Sequence, residues 1–213
     1  MKKHLIVVAV VAVLFVSLVL LIIMLPRTHV VRVEISDPLD DGAVCILADY
    51  GPVAGYTNGG LSGALVGAAK GGEHDVLSRG LYRFYLKDWD NQNVVLHLYC
   101  TIKNGSPGSL EIYVINDFGK LPENQTGDPR DVSDVWNLSD SGHKIDTVTP
   151  EVGKWFEVEV SASIISDYIS DEKYIAFMII LSNEESLEGY YGLSTYEYAE
   201  TENIDPPYLT WEA

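Results

Sequence analysis

Positive charge is scarce in this chain. Only 14 lysines and arginines stand against 31 aspartates and glutamates, a formal net charge of −17. A field of that sign repels nucleic acid, which is therefore excluded as a partner. Cysteine is nearly absent. Cys45 and Cys100 are the two, and neither has His or Cys neighbours at metal-ligand spacing. That excludes zinc-finger and Cys-x-x-Cys chemistry. It leaves two readings of the pair: one disulfide in an oxidising compartment, or two small buried apolar side chains. Enzyme signatures are missing as well. There is no Gly-x-Ser-x-Gly, no His-Glu-x-x-His, no phosphate loop and no dinucleotide fingerprint. The histidines beyond the apolar run, His29, His74, His97 and His143, are scattered, so no catalytic residue is assigned and a non-enzymatic role is expected.

What is present begins with one long apolar run, Leu5–Leu25, directly behind Lys2 and Lys3 and broken only by Ser17. As a helix it would span about 30 Å, the thickness of a bilayer core. A cleaved secretory signal has a shorter apolar region and a small-residue cleavage site, whereas Pro26, Arg27 and Thr28 follow here. Residues 1–26 are therefore expected to be a signal-anchor transmembrane helix. Lys2 and Lys3 on one side nearly balance Arg27 and Arg32 on the other, so flanking charge does not orient it. The sequons Asn124-Gln-Thr and Asn137-Leu-Ser are glycosylation candidates, while Pro107 makes Asn104-Gly-Ser a poorer one. They favour an extracytoplasmic domain on a single-pass cell-membrane anchor.

Beyond residue 30 the hydrophobic pattern has period two. Val94, Leu96, Leu98, Cys100 and Ile102 alternate with Val95, His97, Tyr99, Thr101 and Lys103, which puts His97 on an outward face. Tyr82, Phe84 and Leu86 alternate with Arg83 and Tyr85. Phe156, Val158 and Val160 alternate with Glu157 and Glu159. Tyr174–Leu181 is apolar on both faces and reads as a central strand. Further strands are expected at Val30–Ile35, Ala43–Tyr50, Ser109–Asn116, Tyr190–Tyr198 and Pro207–Trp211, with one short helix within Ala162–Ser170. Trp136 and Trp155 are assigned to the core. Many short strands separated by Gly, Asn and Pro turns predict an all-β, antiparallel two-sheet jelly-roll sandwich. Residues 27–42 would be a linker with a first strand, and residues 43–213 the domain.

The order of these pieces resembles the DNRLRE-type domain, a secreted jelly roll related to carbohydrate-binding modules. The matching stretches are Ala43-Val44, Thr57-Asn58-Gly59, Leu65-Val66-Gly67, Ser78–Phe84, Val94–Leu98 and Val135-Trp136-Asn137. They continue with Trp155–Ser161, the helix at Ile164–Ile169, Tyr174–Leu181, Gly192–Ser194 and Pro206–Thr210. The chain departs from the family at Glu159 and Ser161, and at Thr195 and Tyr196, where the family has Arg-Glu. The resemblance implies a non-catalytic module that binds a polysaccharide or cell-surface glycan.

Alternation along the expected strand Tyr190–Tyr198 puts Tyr190, Tyr196 and Tyr198 on one face. Flat aromatic surfaces with hydroxyls suit sugar rings, so these three are the candidate ligand residues. Asp37, Asp40 and Asp41 cluster before a strand and are the candidate calcium ligands. Two further acidic groups are Asp88, Asp90 and Asn91, and Asp128, Asp131 and Asp134. Calcium takes six to eight oxygens from such loops. The alternative to glycan binding is a filament or surface subunit that self-associates by strand pairing through Val30–Ile35.

Overall fold

Strand forms wherever the alternation leaves one apolar face to cover. The computed structural model describes residues 29–47, 56–57, 63–71, 74–121, 129–184 and 188–213. Its strands are β1 (Val30–Glu34), β2 (Asp41–Leu47), β3 (Tyr56–Thr57), β4 (Ala64–Gly71), β5 (His74–Tyr85) and β6 (Val94–Gly105). They continue as β7 (Leu110–Ile115), β8 (His143–Val148), β9 (Trp155–Val160), β10 (Tyr174–Leu181), β11 (Gly189–Leu193) and β12 (Tyr208–Glu212). The helices are α1 (Pro129–Trp136), α2 (Ala162–Tyr168) and α3 (Tyr196–Glu202). Every strand pairing among the described residues is antiparallel, and the protein is all-β.

The strands form two layers. One has the order β9–β6–β12–β1. The other runs β8–β7–β10–β5, with β2 on the far side of β5 and with β4 and β11 beyond its first half. Two 12-residue strands change partners partway. In β5, Gly67–Gly71 pair with Ser78–His74, and β10 pairs with Gly80–Tyr85. At the changeover a Cβ on Gly80 would meet Val66 Cγ2 at 3.0 Å. In β6, Val94–Tyr99 pair with β9, and Cys100–Gly105 pair with β11. This strand therefore joins the layers. At the start of β1, His29 and Ala213 exchange both backbone hydrogen bonds, at 3.1 and 2.8 Å.

Leu96, Leu98, Val158, Leu209 and Trp211 of the first layer meet Val66, Phe84, Ile112, Ile175 and Phe177 of the second in one core. Phe84 and Phe177 pack edge to face at 5.9 Å. Each such side chain contributes about 1.5–3 kcal/mol on burial. β10 is apolar on both faces because its other face is also covered. Ala176, Met178 and Ile180 pack with Val44, Leu81 and Val132 in a second cluster, against which Val135 and Trp136 of α1 also lie. The apolar residues Val132, Val135 and Trp136 sit at helical spacing on α1. Arg79 fixes the end of α1: it lies 3.9 Å over the Trp136 ring, donates to Trp136 O at 2.7 Å and forks onto Glu184.

Arg83 is the most buried basic side chain among the described residues, at 5% exposure. Its Nε and Nη2 donate to Asp117 at 2.6 and 3.0 Å, its Nη1 donates to Asp40 at 2.9 Å, and the Tyr174 ring lies 3.3 Å from its guanidinium carbon. The group ties the approach to β2 and the segment after β7 onto β5.

Several expectations are corrected. The strand expected over Tyr190–Tyr198 ends at Leu193, because Thr195 accepts from the Tyr198 amide and caps α3, which Asn203 closes in the left-handed region at φ 54°. Cys45 and Cys100 are free thiols rather than a disulfide. Ser78 Oγ donates to Cys45 Sγ, and the Cys100 thiol donates to Ile102 O. Trp155 faces outward on β9 and is half-buried, whereas Trp136 does pack against the second cluster, beneath Arg79. Among the described residues no helix is long and apolar enough to cross a membrane, and the run Leu5–Leu25 lies outside them.

Candidate functional site

The outer face of the first layer gathers four rings, Tyr99, Trp155, Tyr208 and His97. Outward positions alternate, so register decides what meets there. Tyr99 pairs with Trp155, His97 lies between Glu157 and Tyr208, and Val95 lies between Glu159 and Thr210. On β1, Glu34 is opposite Tyr208, Arg32 is opposite Thr210 and Val30 is opposite Glu212. The result is an aromatic end made by Tyr99, Trp155, Tyr208 and His97, and a polar end made by Glu159, Val95, Thr210 and Glu212.

Ring geometry fixes the aromatic end. Tyr208 stacks on His97 with centroids 4.2 Å apart and planes 13° from parallel. The Arg32 guanidinium carbon lies 3.8 Å from the same Tyr208 ring. At these separations the two cannot share one face, so Tyr208 stands on edge between them. Trp155 is 5.2 Å from Tyr208 and 5.5 Å from Tyr99, inclined at 56° and 58°. The indole of Trp155 and the ring of Tyr99, both half-buried, are therefore the flat surfaces left to a ligand. Beyond Thr210 an open groove of about 590 Å³ runs between Asn91, Asn93, Glu159 and Glu212.

His97 is over nine-tenths buried, and burial holds its pKa below the ordinary histidine value against the pull of Glu157. Its Nε2 lies 2.8 Å from Thr210 Oγ1. Glu157 Oε1 is 3.3 Å from Nδ1, an ion pair only when the imidazole is protonated, which burial disfavours. Glu157, His97 and Thr210 thus line up as acid, base and hydroxyl. Acyl transfer also requires donors aimed at a developing oxyanion. The strand around Thr210 is paired on both sides, with β1 and with β6, so its amides are committed to the sheet.

The residues singled out in the sequence do not come together. Tyr190 stays on β11, where its hydroxyl accepts from Asn104 Nδ2 at 3.2 Å. Tyr196 and Tyr198 lie on α3, and the Tyr196 hydroxyl donates to Glu200 at 2.8 Å. The three aspartates turn to separate partners. Asp37 accepts from the Leu39 amide at 2.9 Å and pairs with Lys120, Asp40 pairs with Arg83, and Asp41 accepts from the Tyr196 amide at 2.8 Å. Among the described residues no group of three or more metal-ligating side chains converges. Asn137 is exposed at the start of a short 3-10 turn, and Asn124 lies outside the described residues. Asp128 also lies outside them, and Asp134 is exposed on α1.

Fold and face together define an all-antiparallel β protein with an aromatic, acid-flanked sheet surface. The chain matches no protein-family model and no curated protein.

Proposed function

We propose that this chain is a single-pass, membrane-tethered, extracytoplasmic module of jelly-roll type that binds a glycan or cell-surface polymer without catalysis. The observation that carries the reading is the outer face of the first layer, where Trp155 and Tyr99 offer ring faces and Tyr208 its edge. Sugar rings present C–H faces that pack on flat aromatic surfaces, and phenolic hydroxyls orient them. The face is rigid, because Tyr208 is clamped between His97 and Arg32, and Arg32 is held by Glu34 at 2.8 Å and Asp205 at 2.9 Å. The two layers and the strands that pass between them fit the DNRLRE-type resemblance. The ligand residues move from Tyr190, Tyr196 and Tyr198 to Tyr99, Trp155 and Tyr208.

The tether follows from the sequence. Val30, the first residue of β1, comes five residues after Leu25, so the start of β1 lies within about 18 Å of the apolar run. Self-association through β1 is the weaker reading. β1 is an edge strand of five residues carrying Arg32 and Glu34, and short charged edges resist pairing with another copy. Calcium has no part in this reading.

Affinity electrophoresis of the full chain through polysaccharide-loaded gels tests it. Trp155→Ala and Tyr99→Ala should each weaken retention by up to about tenfold, the loss of one aromatic contact. Tyr190→Ala should leave it unchanged. If Trp155→Ala migrates like the parent on every polysaccharide that retards the parent, the site is elsewhere.

A further inference from the structure

The carboxylates on the outer face of the first layer fall into two groups. Glu34 and Asp205 share one cation, Arg32, which pairs with both. Glu157, Glu159 and Glu212 meet no lysine or arginine among the described residues. Glu157 is 67% exposed, and its closest basic group is His97, whose protonated form burial disfavours. The Glu159 carboxylate accepts only from Asn93 Nδ2, at 3.0 Å. Glu212 is exposed beside the groove. His97 Nδ1 is a buried polar atom without a hydrogen bond, directed at Glu157.

These groups are ordered along the strands. From Trp155, Glu157 and Glu159 follow at every second position of β9 on the same face, about 7 Å apart. Glu212 closes the line across the groove. A ligand laid from the ring surfaces toward the groove would therefore pass three uncompensated negative charges. On a chain of formal net charge −17 a polyuronate or sulfated polymer would be repelled. A neutral sugar would gain nothing from the carboxylates beyond hydrogen bonds.

We infer that the ligand of this face is an amine-bearing glycan, a hexosamine polymer with free amino groups. Its rings stack on Trp155 and Tyr99, and its ammonium groups face Glu157, Glu159 and Glu212. The inference rests on the glycan reading above and names the class of sugar within it. A cationic peptide shares the charge but not the flat ring faces, and the face favours the sugar because its aromatic end is built from rings held in fixed planes.

The test is calorimetric titration of the full chain with glucosamine oligomers, their fully N-acetylated counterparts, a neutral glucan oligomer, a polyuronate and oligolysine. The glucosamine oligomer should bind about tenfold tighter than the N-acetylated one at low salt, since three exposed charge pairs supply that much. The advantage should shrink as salt rises. Replacing all three glutamates by glutamine should erase the advantage, bringing the amine and N-acetylated oligomers to the same affinity. Trp155→Ala should weaken both, and thermal melts confirm that the variants fold.

Equal affinity for the amine and N-acetyl forms, with both still lost in Trp155→Ala, would overturn the amine inference and leave the glycan reading standing. Binding of no sugar at all would overturn both. Oligolysine binding as tightly as glucosamine oligomer, indifferent to Trp155→Ala, would make the face a general cation surface and overturn the inference.

Discussion

Arg83→Met is expected to cost about 3–5 kcal/mol of unfolding free energy at pH 7, read from urea unfolding. The arginine is 5% exposed, and the side chains of its two carboxylate partners are 12% and 16% exposed. Removing it strands Asp40 and Asp117 with little water to solvate them. Arg83→Lys should recover only part of the loss, because an ammonium cannot donate the parallel pair of bonds that Asp117 accepts.

The two acids respond differently to the same guanidinium. Burial pushes Asp117 up, but two bonds from Arg83 and one from the Gly119 amide outweigh it and hold its pKa below the ordinary aspartate value. Burial dominates at Asp40, which Arg83 meets through one bond, and its pKa is raised. A depressed carboxyl stabilises the fold above its unfolded pKa of about 3.9 and loses that contribution as pH falls below it. The parent should therefore lose Asp117's share in acid, and Arg83→Met should lose less there. A cost under about 1 kcal/mol at pH 7 would mean that the arginine is solvated like a surface charge.

Asp41→Asn should move stability the other way. Asp41 is fully buried, one carboxyl oxygen accepts from the Tyr196 amide, and the other meets no hydrogen-bond donor among the described residues. Burial raises its pKa well above the usual range. The Tyr196 amide opposes this, and the nearby charges of Glu197, Asp40 and Asp37 add to it. The folded state thus holds a proton that the unfolded chain releases above about pH 3.9, so the parent loses stability as pH climbs from there toward the folded value. Asparagine keeps an acceptor for the Tyr196 amide and carries no proton to lose. It should flatten that slope, gaining on the parent by about 1.4 kcal/mol per pH unit wherever the folded carboxyl holds the proton that the unfolded one has lost. Unfolding curves at pH 4.5 and 7.5 decide it, and parallel profiles for parent and variant would refute the account. Asp40 and Asp41 are neighbours, so the Arg83 and Asp41 effects are not expected to add.

The strands were legible where one chemical fact settled them. β9 and β10 begin and end where alternation and the two-faced apolar run place them, at Trp155–Val160 and Tyr174–Leu181. The stretch after Leu193 misleads because Tyr-Glu-Tyr mimics strand alternation, while the residue that decides its structure is the capping Thr195. α1 was unread because its apolar spacing is short and follows a turn-rich stretch. Within the site, parity along β9 already puts Trp155 on the outward face with Glu157 and Glu159, against its assignment to the core. Tyr99, Trp155 and Tyr208 come from three strands far apart in sequence. Only register between those strands brings their rings within 5.5 Å, and register between distant strands is not written in any one segment.

The exchange of backbone hydrogen bonds between His29 and Ala213 has a mechanical consequence. Tension arriving at His29 enters the fold along β1, whose only strand partner among the described residues is β12. Antiparallel bonds lie across the strands, so a pull along β1 shears all five residue pairs at once rather than peeling them one by one. β12 and β6, which carry Tyr208 and Tyr99, lie immediately behind that clamp. On the proposed function, drag on a captured polymer would pass to the tether through a joint loaded in its strongest direction, leaving the core between the layers out of the line of force.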